Sequence, residues 1–205
     1  MLRAILILSF FTGGAFAGGK PMPGLAAAQG QKSAHSGPSV KYARCNVDYF
    51  TCDIPASWEV KREKEKEAKT RIYKITLLAP VSDKGPVAIY AAYYSKGSKV
   101  FAVYKDFIER NSKNILGETE SPTEKFGPVK ETILAGLKAF EFESEIKEYI
   151  HPENKSEESV QLKEKIYVLP AKEGFYALRF SAPKAAFTEN LPVFERIAKS
   201  FKGKP

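Results

Sequence analysis

The side chains that could carry chemistry in this chain are few, and their spacing narrows them further. Histidine occurs only as His35 and His151, and aspartate only as Asp48, Asp53, Asp83 and Asp106. Acid–base catalysis and metal ligation draw on these residue types first, so most familiar enzyme sites lack their raw material. His151 stands beside Pro152 with Glu153 close by, but one imidazole and one carboxylate in a polar loop make a weak metal site. No G-x-S-x-G elbow is present, and no Walker loop or G-x-G-x-x-G turn follows a strand. Serine-hydrolase and nucleotide chemistry therefore have no machinery here. No catalytic residue, cofactor or metal site is expected.

Cys45 and Cys52 are the only cysteines. An even count in a chain that reads as exported predicts a disulfide between them. Closing that eight-residue loop would stabilise the fold by about 2.5 kcal/mol in the chain-entropy picture. Free thiols are one alternative, and a redox or metal role is another. The spacing is wider than the C-x-x-C of thioredoxin-like pairs, and no histidine lies near.

Two further groups could be read as sites. Glu141 and Glu143 could serve as general acid and base, but they alternate along one strand face opposite Lys163 and Lys165. Cross-strand charge pairing accounts for them more simply. Tyr90, Tyr93, Tyr94, Lys96 and Lys99 place aromatic area beside positive charge around a short glycine-containing turn, a combination suited to binding a partner. The competing reading makes the tyrosines filler between sheet and helices.

The elements that must position these residues follow from periodicity. Strands are expected at Phe50–Ile54 and around Trp58 and Val60, with Pro55 as a break between them. The run Lys61–Arg71 alternates basic residues with glutamate and reads as a charged hairpin tip. A strand over Arg71–Ala79 is ended by Pro80. In Val87–Tyr94 both alternating sets are apolar or aromatic, which predicts a central strand. Val100, Tyr104, Phe107 and Ile108 recur at helical spacing. Strands then follow at Val129–Leu134, Leu137–Tyr149, Val160–Leu169 and Phe175–Phe180, and a last helix at about Leu191–Phe201. Ile150–Ser159 reads as a polar loop.

Arg3, the apolar run Ala4–Phe11 and the small-residue end Ala15-Phe16-Ala17 predict a secretory signal peptide over 1–17. An uncleaved signal anchor is the alternative. Residues 18–40, rich in Gly, Pro, Ala, Ser and Gln, are expected to be a flexible leader. Residues 41–205 are expected to form one domain, with no internal repeat. The apolar run falls short of the ~20 residues that a membrane-spanning helix needs, so no transmembrane segment is expected in the mature chain.

The 205 residues are 43% hydrophobic and 27% charged, which excludes a disordered polymer. The formal charge is +8, interleaved with acidic residues throughout. Export argues against nucleic acid, and a basic exported protein could meet an envelope protein or an anionic surface component. A solvated surface with surplus lysine is the plainer reading of the charge.

Together Phe50-Thr51-Cys52-Asp53-Ile54-Pro55 with Trp58, the strand Phe175-Tyr176-Ala177-Leu178-Arg179-Phe180, and the ending Phe194–Ile197 with Ser200 and Phe201 resemble the Mog1/PsbP-like superfamily over about 41–201. The resemblance implies an α+β fold: an α/β/α sandwich with a central, mainly antiparallel sheet of about six to seven strands and flanking helices. It also implies varied roles, among them extrinsic photosystem subunits, a regulator of a small GTPase, and bacterial envelope proteins. The expectation is thus a non-enzymatic accessory or binding protein, periplasmic or extracellular. The rivals are a carrier of lipid or another small apolar ligand, which needs a sizeable apolar cavity, and an enzyme with an unrecognised site.

Overall fold

Alternation of apolar side chains writes most of the sheet directly. The computed structural model describes residues 40–150 and 158–204. The expected signal peptide, all of the leader but Val40, His35, His151 and Glu153 lie outside these residues.

A larger sheet of eight strands runs in the order β3-β4-β5-β10-β9-β8-β6, with β7 also paired to β8. Its members are β3 (Glu59–Lys61), β4 (Ile72–Leu78), β5 (Ala88–Ser95), β6 (Glu124–Phe126), β7 (Lys130–Leu134), β8 (Leu137–Tyr149), β9 (Ser159–Ala171) and β10 (Gly174–Pro183). Every pairing described is antiparallel. β5 lies inside the sheet between β4 and β10, as its two apolar faces require. The β7–β8 connection is two residues long, and both take left-handed backbone, Ala135 at φ 51° and Gly136 at φ 80°. Two successive positive φ values give the turn twist that matches the flanking strands.

A smaller sheet of β1 (Tyr42–Val47), β2 (Phe50–Pro55) and β11 (Lys202–Gly203) has β2 at its centre. Among the described residues there are three helices: α1 (Lys64–Thr70), α2 (Tyr104–Asn111) and α3 (Lys184–Ser200). This is an α+β fold. One face of the larger sheet packs with α3 and the smaller sheet around Phe50, Ile75, Leu77, Ile89, Leu178, Phe180, Phe194 and Ile197. The other packs under α2 around Phe107, Phe142, Ile166, Val168 and Phe175.

The residues that carry the family resemblance turn out to be the joint between the layers. The Ser200 hydroxyl donates to the Ile197 carbonyl at 2.9 Å and accepts the Asp53 N–H at 2.8 Å, tying the end of α3 to β2. Phe201 then enters the core, its ring 5.4 Å from Phe50 and 5.3 Å from Tyr176.

Three expectations are corrected. Lys61–Arg71 is not a hairpin tip but contains α1. Glutamate, lysine and alanine are good helix formers, and Arg71 closes the helix in left-handed backbone with its N–H on the Glu67 carbonyl at 2.7 Å. α3 begins seven residues before Leu191, running through Pro192. Ala186 and Phe187 already bury the face that Phe194, Ile197 and Ala198 continue, so tertiary burial outweighs the proline's helix-breaking tendency. α2 starts at Tyr104, leaving Val100 exposed ahead of it.

The hairpin of β8 and β9 pairs Glu143 with Lys165 and Glu145 with Lys163. Lys163 reaches Glu143 diagonally at 3.0 Å, and Lys165 sits 3.8 Å from Glu141 and 2.8 Å from Glu195 of α3. The glutamates are thus half-buried ion-pair partners beside α3. The expected pairing of charges across the hairpin is present.

Candidate functional site

Alternation along β5 decides where the five residues expected to bind a partner go. Tyr93 points into the core beneath α3 and the smaller sheet, and its hydroxyl donates to the Glu173 carbonyl at 2.6 Å. Tyr94 turns to the opposite face, stacked 4.6 Å from Phe175 and flanked by Phe101 and Phe107. Burial pushes its phenol above the usual range. Tyr90 shares that face but is two rungs further along. Lys96 is exposed in the turn after β5, 3.6 Å from Glu173, and Lys99 is exposed beyond it. The structure therefore does not bring the five residues together: two tyrosines are largely packing, and the lysines are solvated.

What the register does bring together is a polar row on the face shared with α2. Thr76, Tyr90, Arg179, Ile166 and Phe142 are successive cross-strand partners from β4 to β8. The next rung carries Ser181, Glu164 and Ser144. Where α2 ends, the face changes from apolar to charged. Arg179 Nη2 donates to Asn111 Oδ1 on the last residue of α2, and the Ser144 hydroxyl donates to Glu164 Oε2 at 3.3 Å. Tyr90, Glu148, Glu164 and Arg179 are half-buried, and Ser144 is buried.

The electrostatics follow from that half-burial. Desolvation pushes the Tyr90 phenol up, partly offset by the Arg179 charge. Burial, with the neighbouring Glu164 charge, also raises the Glu148 carboxyl above its ordinary value. The region thus offers one guanidinium, one protonated phenol and the carboxylates of Glu164 and Glu148. These are donors and acceptors for recognition. Among the described residues no group of three or more His, Cys, Asp or Glu could hold a metal.

Sequence reasoning did not single out Arg179, Glu164, Glu148 or Asn111. The one available signal was Arg179 itself, a charge inside the otherwise aromatic and aliphatic run of β10. Nothing in the linear pattern places Glu164 or Asn111 near it, because those neighbours come from β9 and from the end of α2.

Two open depressions lie elsewhere, at α1. One, of about 440 Å³, is lined by Arg62, Glu63, Lys64, Glu65 and Lys66. The other, of about 170 Å³, is lined by α1 with Ile72, Lys74 and Tyr94. The first is lined by charged side chains, and the second is smaller than the roughly 300–1,000 Å³ of a ligand pocket. No described helix is long and apolar enough to cross a membrane.

The two cysteines form a separate constellation. Cys45 and Cys52 are directly opposed in the β1–β2 ladder, and both are free thiols, so the expected disulfide is not formed in this structure. As opposed residues of the ladder, their side chains lie on the same face of the smaller sheet. The neighbouring Cys52 thiol, with a smaller contribution from the Arg62 charge, brings the Cys45 pKa down to about 7 against the opposing effect of burial. The Cys45 sulfur beside it, together with burial, holds the Cys52 thiol well above the ordinary range.

No family model and no curated protein matches the chain in sequence. Solved structures match in shape. The solution structure of cyanobacterial PsbP (CyanoP) from Synechocystis superposes with a TM-score of 0.50 at 10% identity, covering 85% of this chain and 98% of that one. LpqN, involved in cell envelope biogenesis of Mycobacterium tuberculosis, gives 0.47 at 14% identity over 83% and 88% of the two chains. The Saccharomyces cerevisiae Ran-binding protein Mog1p gives 0.44 at 10% identity over 80% and 96%. At 10% identity the likeness to CyanoP is one of fold, and that fold is the PsbP-like one the resemblance implied.

Proposed function

We propose that the protein is an exported, non-catalytic accessory module that binds an envelope protein or another anionic surface component through the polar row at the end of α2. Its signal peptide would occupy 1–17 and its leader 18–40, and Cys45 and Cys52 would be bonded after export. The observation that carries the reading is Arg179 in the middle of the larger sheet, half-buried between Tyr90 and Asn111. A sheet built for packing alone would fill that rung with apolar side chains, since desolvating a guanidinium and two carboxylates costs stability. Arginine and tyrosine are also the residues most enriched where protein partners bind tightly.

A crosslinked pull-down of the full chain from its own cell envelope tests this, with Arg179→Gln alongside the wild type and mass spectrometry of proteins and extracted small molecules. A stoichiometric partner that is lost in Arg179→Gln, while the variant keeps its melting temperature, supports the reading. A recurrent lipid or metabolite, or a partner retained equally by the variant, overturns it. Adding Lys96→Ala with Lys99→Ala reports whether the turn after β5 takes part.

A further inference from the structure

Three features of the molecule lie outside the polar row: the exposed pair Ile115 and Leu116, the charged network of Lys165, Glu195 and Tyr167, and the opposed cysteines. The first has nothing to say what covers it, and the second is internally satisfied. The third carries a chemistry.

We propose that Cys45 and Cys52 are an exchange-active dithiol in which Cys45 is the attacking thiol and Cys52 resolves the mixed disulfide. This deepens the bond in the proposed function and rests on that bond forming, but not on the binding row. Four observations support the order of events. The two residues are Cα partners in an antiparallel ladder, and such pairs lie about 4.5–5.5 Å apart, within the range that a disulfide spans. Cys45 is on an outer strand of the smaller sheet and half-buried, whereas Cys52 is on the central strand and fully buried. An incoming disulfide can therefore reach Cys45 alone. Third, directly opposed residues of a ladder share one face of the sheet, so the resolving thiol lies on the same side as the sulfur it must attack. Last, Arg62 adds positive charge near Cys45, which favours the thiolate. Arg62 is itself held by Glu67 at 2.7 and 2.8 Å and by Asp48 at 2.6 Å.

The oxidant is a disulfide, R–S–S–R, from a small thiol or a protein. The Cys45 thiolate attacks one sulfur, the R–S–S–R bond breaks, and R–S⁻ leaves, giving a mixed disulfide on Cys45. Cys52 then attacks the Cys45 sulfur, its proton passing to an expelled thiolate. The Cys45–Cys52 bond forms as the second R–S⁻ departs. Two thiols lose two electrons and two protons, and R–S–S–R becomes two R–SH. The reverse sequence reopens the bond.

The test uses the reduced full chain, glutathione disulfide as the probe, and intact and peptide mass spectrometry. The wild type should end lighter by two hydrogens and carry no glutathione. Cys52→Ser, or Cys52→Ala if the serine variant does not fold, should stop at one glutathione on Cys45. Cys45→Ser should react at least tenfold more slowly. Limiting iodoacetamide on the wild type should label Cys45 at least tenfold faster than Cys52, a readout that needs no variant. A wild type that keeps both thiols overturns bond and exchange together, leaving the binding row to its own test. A wild type that bridges but labels both cysteines equally, or a Cys45→Ser that takes up glutathione as fast as Cys52→Ser, overturns the order of attack.

Discussion

Replacing Arg62 by leucine tests how the β1–β2 hairpin is fastened to α1. The guanidinium grips Glu67 in two parallel bonds of 2.7 and 2.8 Å and reaches Asp48, in the turn between β1 and β2, at 2.6 Å. The side chains of Arg62 and Glu67 keep only 18% and 9% of their exposure. Both carboxylates push the Arg62 pKa above its ordinary value, Glu67 more strongly than Asp48, although burial opposes them. Removing one partner of a buried pair strands the other charge, at a cost of about 3–5 kcal/mol. Arg62 still touches solvent and Asp48 is too exposed to count, so the lower end, about 3 kcal/mol, is the expected loss. For a domain of this size that is a drop of roughly 6–12 °C in melting temperature. Urea denaturation followed by circular dichroism reads the change directly. A second variant, Arg62→Leu with Glu67→Leu, removes both charges and should recover to within about 1 kcal/mol of wild type, because two apolar side chains leave nothing stranded. A single variant within about 0.5 kcal/mol of wild type, or a double variant no more stable than the single, would refute this account of the clamp.

Three other outcomes follow from the structure. Gly174→Ala should abolish soluble expression or cost more than about 4 kcal/mol, since its backbone sits at φ +146° and an added Cβ would lie 2.0 Å from the Tyr94 carbonyl oxygen; a variant that melts near wild type would show that β9 and β10 connect differently. Phe201→Ala, at a position 1% exposed between Phe50 and Tyr176, should lose about 3–5 kcal/mol by thermal or chemical denaturation. The third concerns pH. Burial raises the Glu148 carboxyl in the folded chain, so wild-type stability is fully present below the unfolded carboxyl's ordinary value and is lost as pH rises through the raised one; Glu148→Gln should therefore gain on wild type between pH 4 and pH 7, and melting curves whose difference stays flat across that interval would contradict the assignment.

Much of the sheet was legible because a strand with one covered face must alternate. Leu137–Tyr149 shows this most clearly: its expected bounds are those of β8, and its glutamates meet the lysines of β9 as their spacing required. The family resemblance was legible for a related reason. Pro55, Ser200 and Phe201 are packing residues, and Ser200 and Phe201 proved to be the lock between α3, β2 and the core. Less was legible where local and tertiary preferences disagree. Lys61–Arg71 carries a charge pattern compatible with a turn or a helix, and the helix wins with Arg62 bound to a buried Glu67. The last helix was expected from about Leu191, but burial of Ala186 and Phe187 extends α3 ahead of it, through Pro192.

The sequence by itself determined the fold class, the order of most strands along the chain and the chemistries that the molecule lacks. These depend on side-chain type and on period, both of which are local. It also supplied the two cysteines, but only the tertiary structure set them face to face with unequal access, one on an outer strand and one on the central strand of a three-stranded sheet. The polar row was equally out of reach of the linear pattern. Tyr90, Asn111, Glu164 and Arg179 lie up to 89 positions apart (179 − 90), and they meet because β5, β10 and β9 pair side by side while α2 ends above them. A site of that kind is a property of strand register and layer packing, which arise from contacts between segments and are not encoded within any one of them.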